Sequence, residues 1–244
     1  MSPQEIRARQ DLACVYRIFD AFGWHELIYN HITVRVPGEP RHFLINQFGL
    51  MYREIRASNL VKIDIDGRVV DGSTARINPA GFIVHSAVHS ARPDAHAVIH
   101  THTTAGQVVA CQADGLLPLS FTSAFFHESL AYHDFEGITL EREECARLAR
   151  DLGDKKAMIL RNHGLLTCAS TLAEAFALHY HLQRACEVQA QASAGNQKLL
   201  YMAPEVAKIA AAQYAKASTS NEESALLFDA MKRWMYERDA SYLD

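Results

Sequence analysis

The chain has 244 residues, with 24 Lys+Arg against 28 Asp+Glu, a formal net charge of −4 with histidine neutral, and 49% hydrophobic residues. This is an ordinary globular composition, long enough for one large domain with a sizeable core. It contains no run of about 18 apolar residues that could span a membrane, and mild acidity without a Lys/Arg cluster argues against a nucleic-acid partner.

The N-terminal residues lack the charged and apolar regions of a secretory signal. The five cysteines form no C-x-x-C pair, and an odd count suits reduced thiols better than a disulfide framework, so a cytoplasmic protein is expected. Thirteen histidines stand out, because neutral imidazole is the commonest protein metal ligand.

In chain order, Ser2, Pro3 and Glu5 form a helix start, Leu12, Val15, Tyr16 and Phe19 keep helical spacing, and Gly23 supplies a stop. From Ile32 to Val70 the texture changes to short alternating runs: Ile32 to Val36, His42 to Ile45, Leu60 to Ile65 and Arg68 to Val70. These are broken by Pro-Gly and Asp66-Gly67, which predicts antiparallel strands and hairpins. Helical period returns from Pro79 to about Ala91 and ends at Arg92-Pro93-Asp94. His96 to Thr101 is expected as a strand, followed by a helix from Ala105 to Ala113 capped by Thr103 or Thr104.

Glu141 to Leu152 is a further helix and Lys156 to Arg161 a buried strand. Thr171-Leu172-Ala173-Glu174 reads as a capping box opening a long helix through about Ala194. Helices over Pro204 to Lys216 and Glu222 to Arg238 finish the chain, with Ala217 to Glu223 as the loop between them. The expectation is one α/β domain over 1–244 with a mostly antiparallel sheet and C-terminal helices from about 204.

His100-Thr101-His102 carries the chemistry. On a strand, residues i and i+2 face the same way, about 7 Å apart along the chain, so both imidazoles can reach one ion. His163, in Arg161-Asn162-His163-Gly164 at the C-terminal end of a second expected strand, is the candidate third ligand. Three imidazoles with an open fourth position suit catalytic zinc, and a structural site would want four protein ligands. His85 and His89 stand at i and i+4 on a helix but lack the glutamate of H-E-x-x-H, and are expected as neighbours on one helix face. His179 and His181, about 200° apart on a helix, cannot share an ion.

Asn78-Pro79-Ala80-Gly81-Phe82, Ala91-Arg92-Pro93-Asp94 leading to His100-Thr101-His102, Ala131-Tyr132-His133-Asp134 and Leu160-Arg161-Asn162-His163-Gly164-Leu165 together resemble the class II aldolase/adducin family. The resemblance spans about residues 5 to 215 and is closer to the adducin head domain than to fuculose-phosphate aldolase. It implies a three-layer α/β/α domain, a homotetramer with clefts between subunits, and Zn2+ held by His100, His102 and His163. It also implies that the family's usual catalytic glutamate falls at Gly81, and that Pro79 and Ala80 replace two phosphate-binding serines. Losing a general base costs typically about 10²–10⁴-fold, so ordinary sugar-phosphate cleavage is not expected. Glu128 is the candidate substitute base, with His127 or Glu128 as a possible fourth ligand. Asn30, His31 and Asn78 are the candidate substrate contacts.

Three functions follow as expectations. The first is a metal-dependent lyase that cleaves or decarboxylates a small hydroxy or keto substrate through a metal-stabilised enolate. The second is an oxygen-dependent enzyme using Fe2+ or Mn2+ on the same three histidines. The third is a non-catalytic, adducin-head-like oligomerisation module. The chain has no long Lys-rich tail, so actin and membrane binding are not expected.

Overall fold

The computed structural model describes residues 1–137, 142–217 and 221–244. Helix α1 (Pro3–Phe22) starts where the sequence predicts: the Ser2 side chain accepts from the Glu5 N–H, and Gly23 in the left-handed conformation closes the last turn. Strands β1 (His31–Arg35), β2 (His42–Ile45) and β3 (Val61–Asp64) follow. The predicted strand over Arg68 to Val70 reduces to a single bridge, Val69 to Ile63, flanked by hydrogen bonds from the Asp64 N–H to the Arg68 carbonyl and from the Val70 N–H to the Lys62 carbonyl, after which the chain leaves the sheet edge.

Helix α2 (Pro79–Ala91), strand β4 (Ala97–Thr101) and helix α3 (Thr104–Ala110) come next, with the Thr103 hydroxyl accepting from the Gly106 N–H. Helix α3 stops three residues short of the expected Ala113. The single-turn helix α4 (Phe121–Ala124), strand β5 (Leu130–His133), helix α5 (Arg142–Leu152), strands β6 (Ala157–Leu160) and β7 (Gly164–Ala169), and helices α6 (Leu172–Ser193), α7 (Pro204–Ala217) and α8 (Glu222–Arg238) complete the order. Thr171 caps α6 through the Glu174 N–H, but the Glu174 carboxylate turns to Ser170 and Lys156, so only half of the predicted capping box forms. Glu141, expected to begin α5, and part of the loop expected before α8 lie outside the described residues.

The seven described strands form one sheet in the order β3-β2-β1-β4-β7-β6-β5. All neighbours are antiparallel except β5 and β6, which run parallel with α5 crossing between them. The sheet is therefore mixed and mostly antiparallel, as the sequence predicts, within the α/β/α architecture.

Its two faces are covered differently. Ile32 and Val34 of β1, Val36 just past its end, and Ala97 and Ile99 of β4 pack against α1, α6 and α8. Val98 of β4 and Leu166 and Cys168 of β7 pack against α2 and α5 on the other side. Because side chains alternate along a strand, His31 and Thr33 of β1 and His100 of β4 must face α2. The register puts His31 directly opposite His100.

Candidate metal centre

His100 is the last strand residue on the α2 face. Its neighbour Thr101 faces the other way, where its hydroxyl pairs with His179 Nε2 on α6 at 2.8 Å. His102 stands just past the strand end. His163 lies in the tight turn joining β6 to β7, where its N–H donates to the Leu160 carbonyl at 3.1 Å. Asn162 takes φ 55° in that turn, a left-handed conformation that asparagine tolerates. Gly164 is required because a Cβ there would run into the Thr101 carbonyl oxygen as β7 passes β4. The Asn-His-Gly sequence is thus the means by which the third imidazole reaches the other two.

Each of the three rings offers one nitrogen, and the three nitrogens lie within 4.8 Å of one another. His102 Nε2 is 2.8 Å from His100 Nε2 and 2.9 Å from His163 Nε2. The opposite ring nitrogens explain why these atoms converge. His100 Nδ1 donates to the Leu165 carbonyl at 2.9 Å, and His102 Nδ1 faces Glu26 Oε2 at 2.6 Å. A neutral imidazole that donates from Nδ1 leaves Nε2 as a bare acceptor. Between His100 and His102 the contact therefore sets acceptor against acceptor unless a cation stands between them.

Burial reinforces the neutral state. It pushes His100 well below the usual histidine range, helped by the surrounding imidazoles, and His163 down to about 4. Ring nitrogens aimed at one point, with two of the three rings oriented by a carbonyl or a carboxylate, are the donor set a divalent ion requires.

Nothing in the sequence pattern points to Glu26. It sits in the loop after α1 and is brought to the cluster by tertiary structure. Asn30, expected as a substrate contact, is buried, and its Oδ1 accepts from the Glu26 N–H at 2.8 Å, so it shapes the loop that carries Glu26. A cleft of about 500 Å³ opens over the cluster, and Glu26, His31, Asn78, Gly81, Gln107 and Phe135 are among the residues that line it with the three histidines. His31 and Asn78 thus reach the cleft as expected.

His127 and Glu128 do not meet the cluster within one protomer. They line a separate cavity of about 590 Å³ with Lys155, Lys208 and Tyr214, because the chain turns away from the metal face after α4. Gly81 faces His31 so closely that a Cβ at position 81 would overlap the imidazole, Nε2 being the nearest atom. His85 and His89 are both buried on the α2 face and engage Thr33.

Residues 10–190 match the family model described as Class II Aldolase and Adducin N-terminal domain. The chain is 50% identical over 192 residues to alpha-adducin of Mus musculus, an alignment covering 77% of this chain and 26% of adducin. A crystal structure of an aldolase II superfamily protein from Pseudomonas syringae superimposes with a TM-score of 0.95 at 46% identity, covering 100% of this chain and 98% of that one. L-fuculose 1-phosphate aldolase from Glaciozyma antarctica superimposes with a TM-score of 0.83 at 28% identity, covering 98% and 92%. The higher identity to adducin agrees with the pattern of the motifs. The chain belongs to the class II aldolase/adducin family.

Proposed function

We propose that the chain is a divalent-metal-dependent lyase acting on a small hydroxy or keto substrate. The observation that carries this reading is the convergence of three Nε2 atoms at 2.8 and 2.9 Å, with Nδ1 of His100 and of His102 each engaged by an acceptor. A cation bound there, with zinc suited best and Fe2+ or Mn2+ as alternatives, supplies Lewis-acid polarisation and a counter-charge for a developing enolate.

The chain's own residues do the rest. His100, His102 and His163 hold the ion, while Glu26 and the Leu165 carbonyl orient two of the rings. Asn78, His31 and Gln107 line the space a substrate would fill. Retro-aldol cleavage begins with removal of a hydroxyl proton, and decarboxylation begins with release of carbon dioxide. Position 81 offers no carboxylate, Glu128 lies in another cavity of the same protomer, and the Glu26 carboxylate at the cleft is engaged with His102 Nδ1, so the residues at the cleft favour decarboxylation, which needs no free base to begin.

The same reading has the chain act as a homotetramer. Phe121 and Phe135, 73% and 53% exposed, supply apolar surface that a second copy would cover. The likeness to adducin favours one alternative, an assembly module that retains the cleft without turnover. Metal-loaded and chelated protein assayed against a panel of small 2-keto and 3-hydroxy acids separates the two. Metal-dependent release of carbon dioxide or of an aldehyde supports the lyase, and a metal-replete tetramer inert to the panel supports the module.

A further inference from the structure

Beneath the cleft, β1 and α2 bury a chain of hydrogen bonds that the metal cluster does not use. His31 Nδ1 lies 3.0 Å from His85 Nε2, and His85 Nδ1 lies 2.7 Å from the Thr33 hydroxyl. That hydroxyl is 2.8 Å from His89 Nε2, and His89 Nδ1 is 3.0 Å from the Ala95 carbonyl oxygen. All four side chains are buried. Strand and helix periods make the chain possible: residues 31 and 33 share a strand face, and residues 85 and 89 are one turn apart on α2.

The carbonyl end sets the direction of every hydrogen bond. A carbonyl oxygen only accepts, so His89 must donate from Nδ1, and its neutral ring then accepts at Nε2. The single hydroxyl proton of Thr33 goes to His89, which obliges the Thr33 oxygen to accept from His85 Nδ1. His85 Nε2 then accepts from His31 Nδ1, and His31 Nε2 is left with a bare lone pair. Reversing the order would set two buried acceptors against each other at Ala95, leaving both without a proton to share. Burial of all four side chains disfavours the charged form of the rings. Because the far end cannot release or take up a proton, the chain is a tautomer lock and not a proton path.

We propose that His31 is a specificity-determining residue that presents a fixed hydrogen-bond acceptor to the cleft at the place a side chain on residue 81 would otherwise occupy. It thereby selects a ligand bearing a hydroxyl donor there and rejects a phosphate or carboxylate oxygen. His85, Thr33 and His89 are positioning residues that act through it. The selection of ligand rests on the metal-lyase reading above, whereas the tautomer does not.

The test uses the full ¹⁵N-labelled chain. Two-bond ¹H–¹⁵N correlation spectra at neutral pH, with and without zinc, should show His31 protonated at Nδ1 and unprotonated at Nε2. Thr33→Val, which keeps the shape but removes the hydroxyl, should mix the His31 tautomers, and Thr33→Ser should restore them. On the zinc-loaded protein, hydroxyacetohydroxamate should bind about tenfold tighter than acetohydroxamate, a hydroxyl being worth about 1.4 kcal/mol at that ratio. The preference should fall to threefold or less in Thr33→Val and in His31→Phe, and return in Thr33→Ser. A His31 ring protonated at Nε2, or a hydroxyl preference unchanged in both variants, overturns the inference. If the native chain takes up no zinc, the metal reading fails while the spectra still decide the tautomer; if zinc is bound and neither hydroxamate binds, the ligand selection is overturned.

Discussion

The imidazole of His31 on β1 fills the volume into which a side chain on Gly81 of α2 would grow. Gly81→Ala should therefore destabilise the protein by about 1–3 kcal/mol through overpacking, despite alanine's better helix propensity. The melting temperature should drop by about 2–4 °C per kcal/mol. His31→Ala should relieve the clash, so that the double variant loses less than the two single losses added together. Thermal melts of the three variants measure this coupling, and strict additivity would show that the two residues do not compete for space.

Glu26 holds His102 through a 2.6 Å contact to Nδ1. Orienting partners of this kind are worth about 10- to 100-fold in metal affinity. Glu26→Gln should weaken zinc binding by that factor in a competition titration with a coloured chelator, with little change in melting temperature of the metal-free protein. Glu128→Gln, in a separate cavity, should leave the affinity unchanged.

Gly164→Ala should be more damaging than either. The added methyl meets the Thr101 carbonyl oxygen and the His102 ring, so β7 must shift away from β4 and carry His163 with it. Both stability and zinc affinity should fall together, whereas Asn162→Gly, which suits the left-handed turn, should preserve both.

Buried histidines make the protein acid-labile. His89 and His179 are each held at about 3 by burial against an ordinary value of 6.5. The folded chain refuses protons that the unfolded chain accepts below 6.5, so stability is complete above that pH and declines as the pH falls toward about 3. Each such group contributes up to about 1.4 kcal/mol per pH unit within that window. Urea denaturation at pH 7, 6 and 5 should show a steep decline, shallower by about one proton in His179→Gln. An unchanged slope in that variant would show that His179 is not held neutral.

Much of this architecture is legible in the sequence where local chemistry decides it. Ser2, Pro3 and Gly23 bound α1, Asn78-Pro79 and Arg92-Pro93 bound α2, and Thr171 starts α6, because caps and breakers act over a few residues. Strands β5 and β7 are not legible. Gly164–Ala169 is buried on both faces and shows no alternation to distinguish it from buried helix. At the site, the i, i+2 spacing of His100 and His102 and the strand-end placement of His163 suffice to pick the three rings. Glu26 is invisible in sequence because only tertiary structure brings it to His102, 76 residues away. The chain from His31 to His89 leaves a trace in two periods, one of two residues and one of four. That β1 faces α2 is a fact of tertiary structure alone.

The central claim is that three converging imidazoles hold one divalent ion. Elemental analysis after zinc loading and desalting, paired with a binding titration, tests it most directly. The account predicts one zinc per chain in the native protein and loss of that zinc in His102→Ala and His163→Ala with the fold retained by circular dichroism. A native chain that takes up no zinc, iron or manganese, or a variant lacking all three imidazoles that binds zinc as tightly as the native chain, would contradict it.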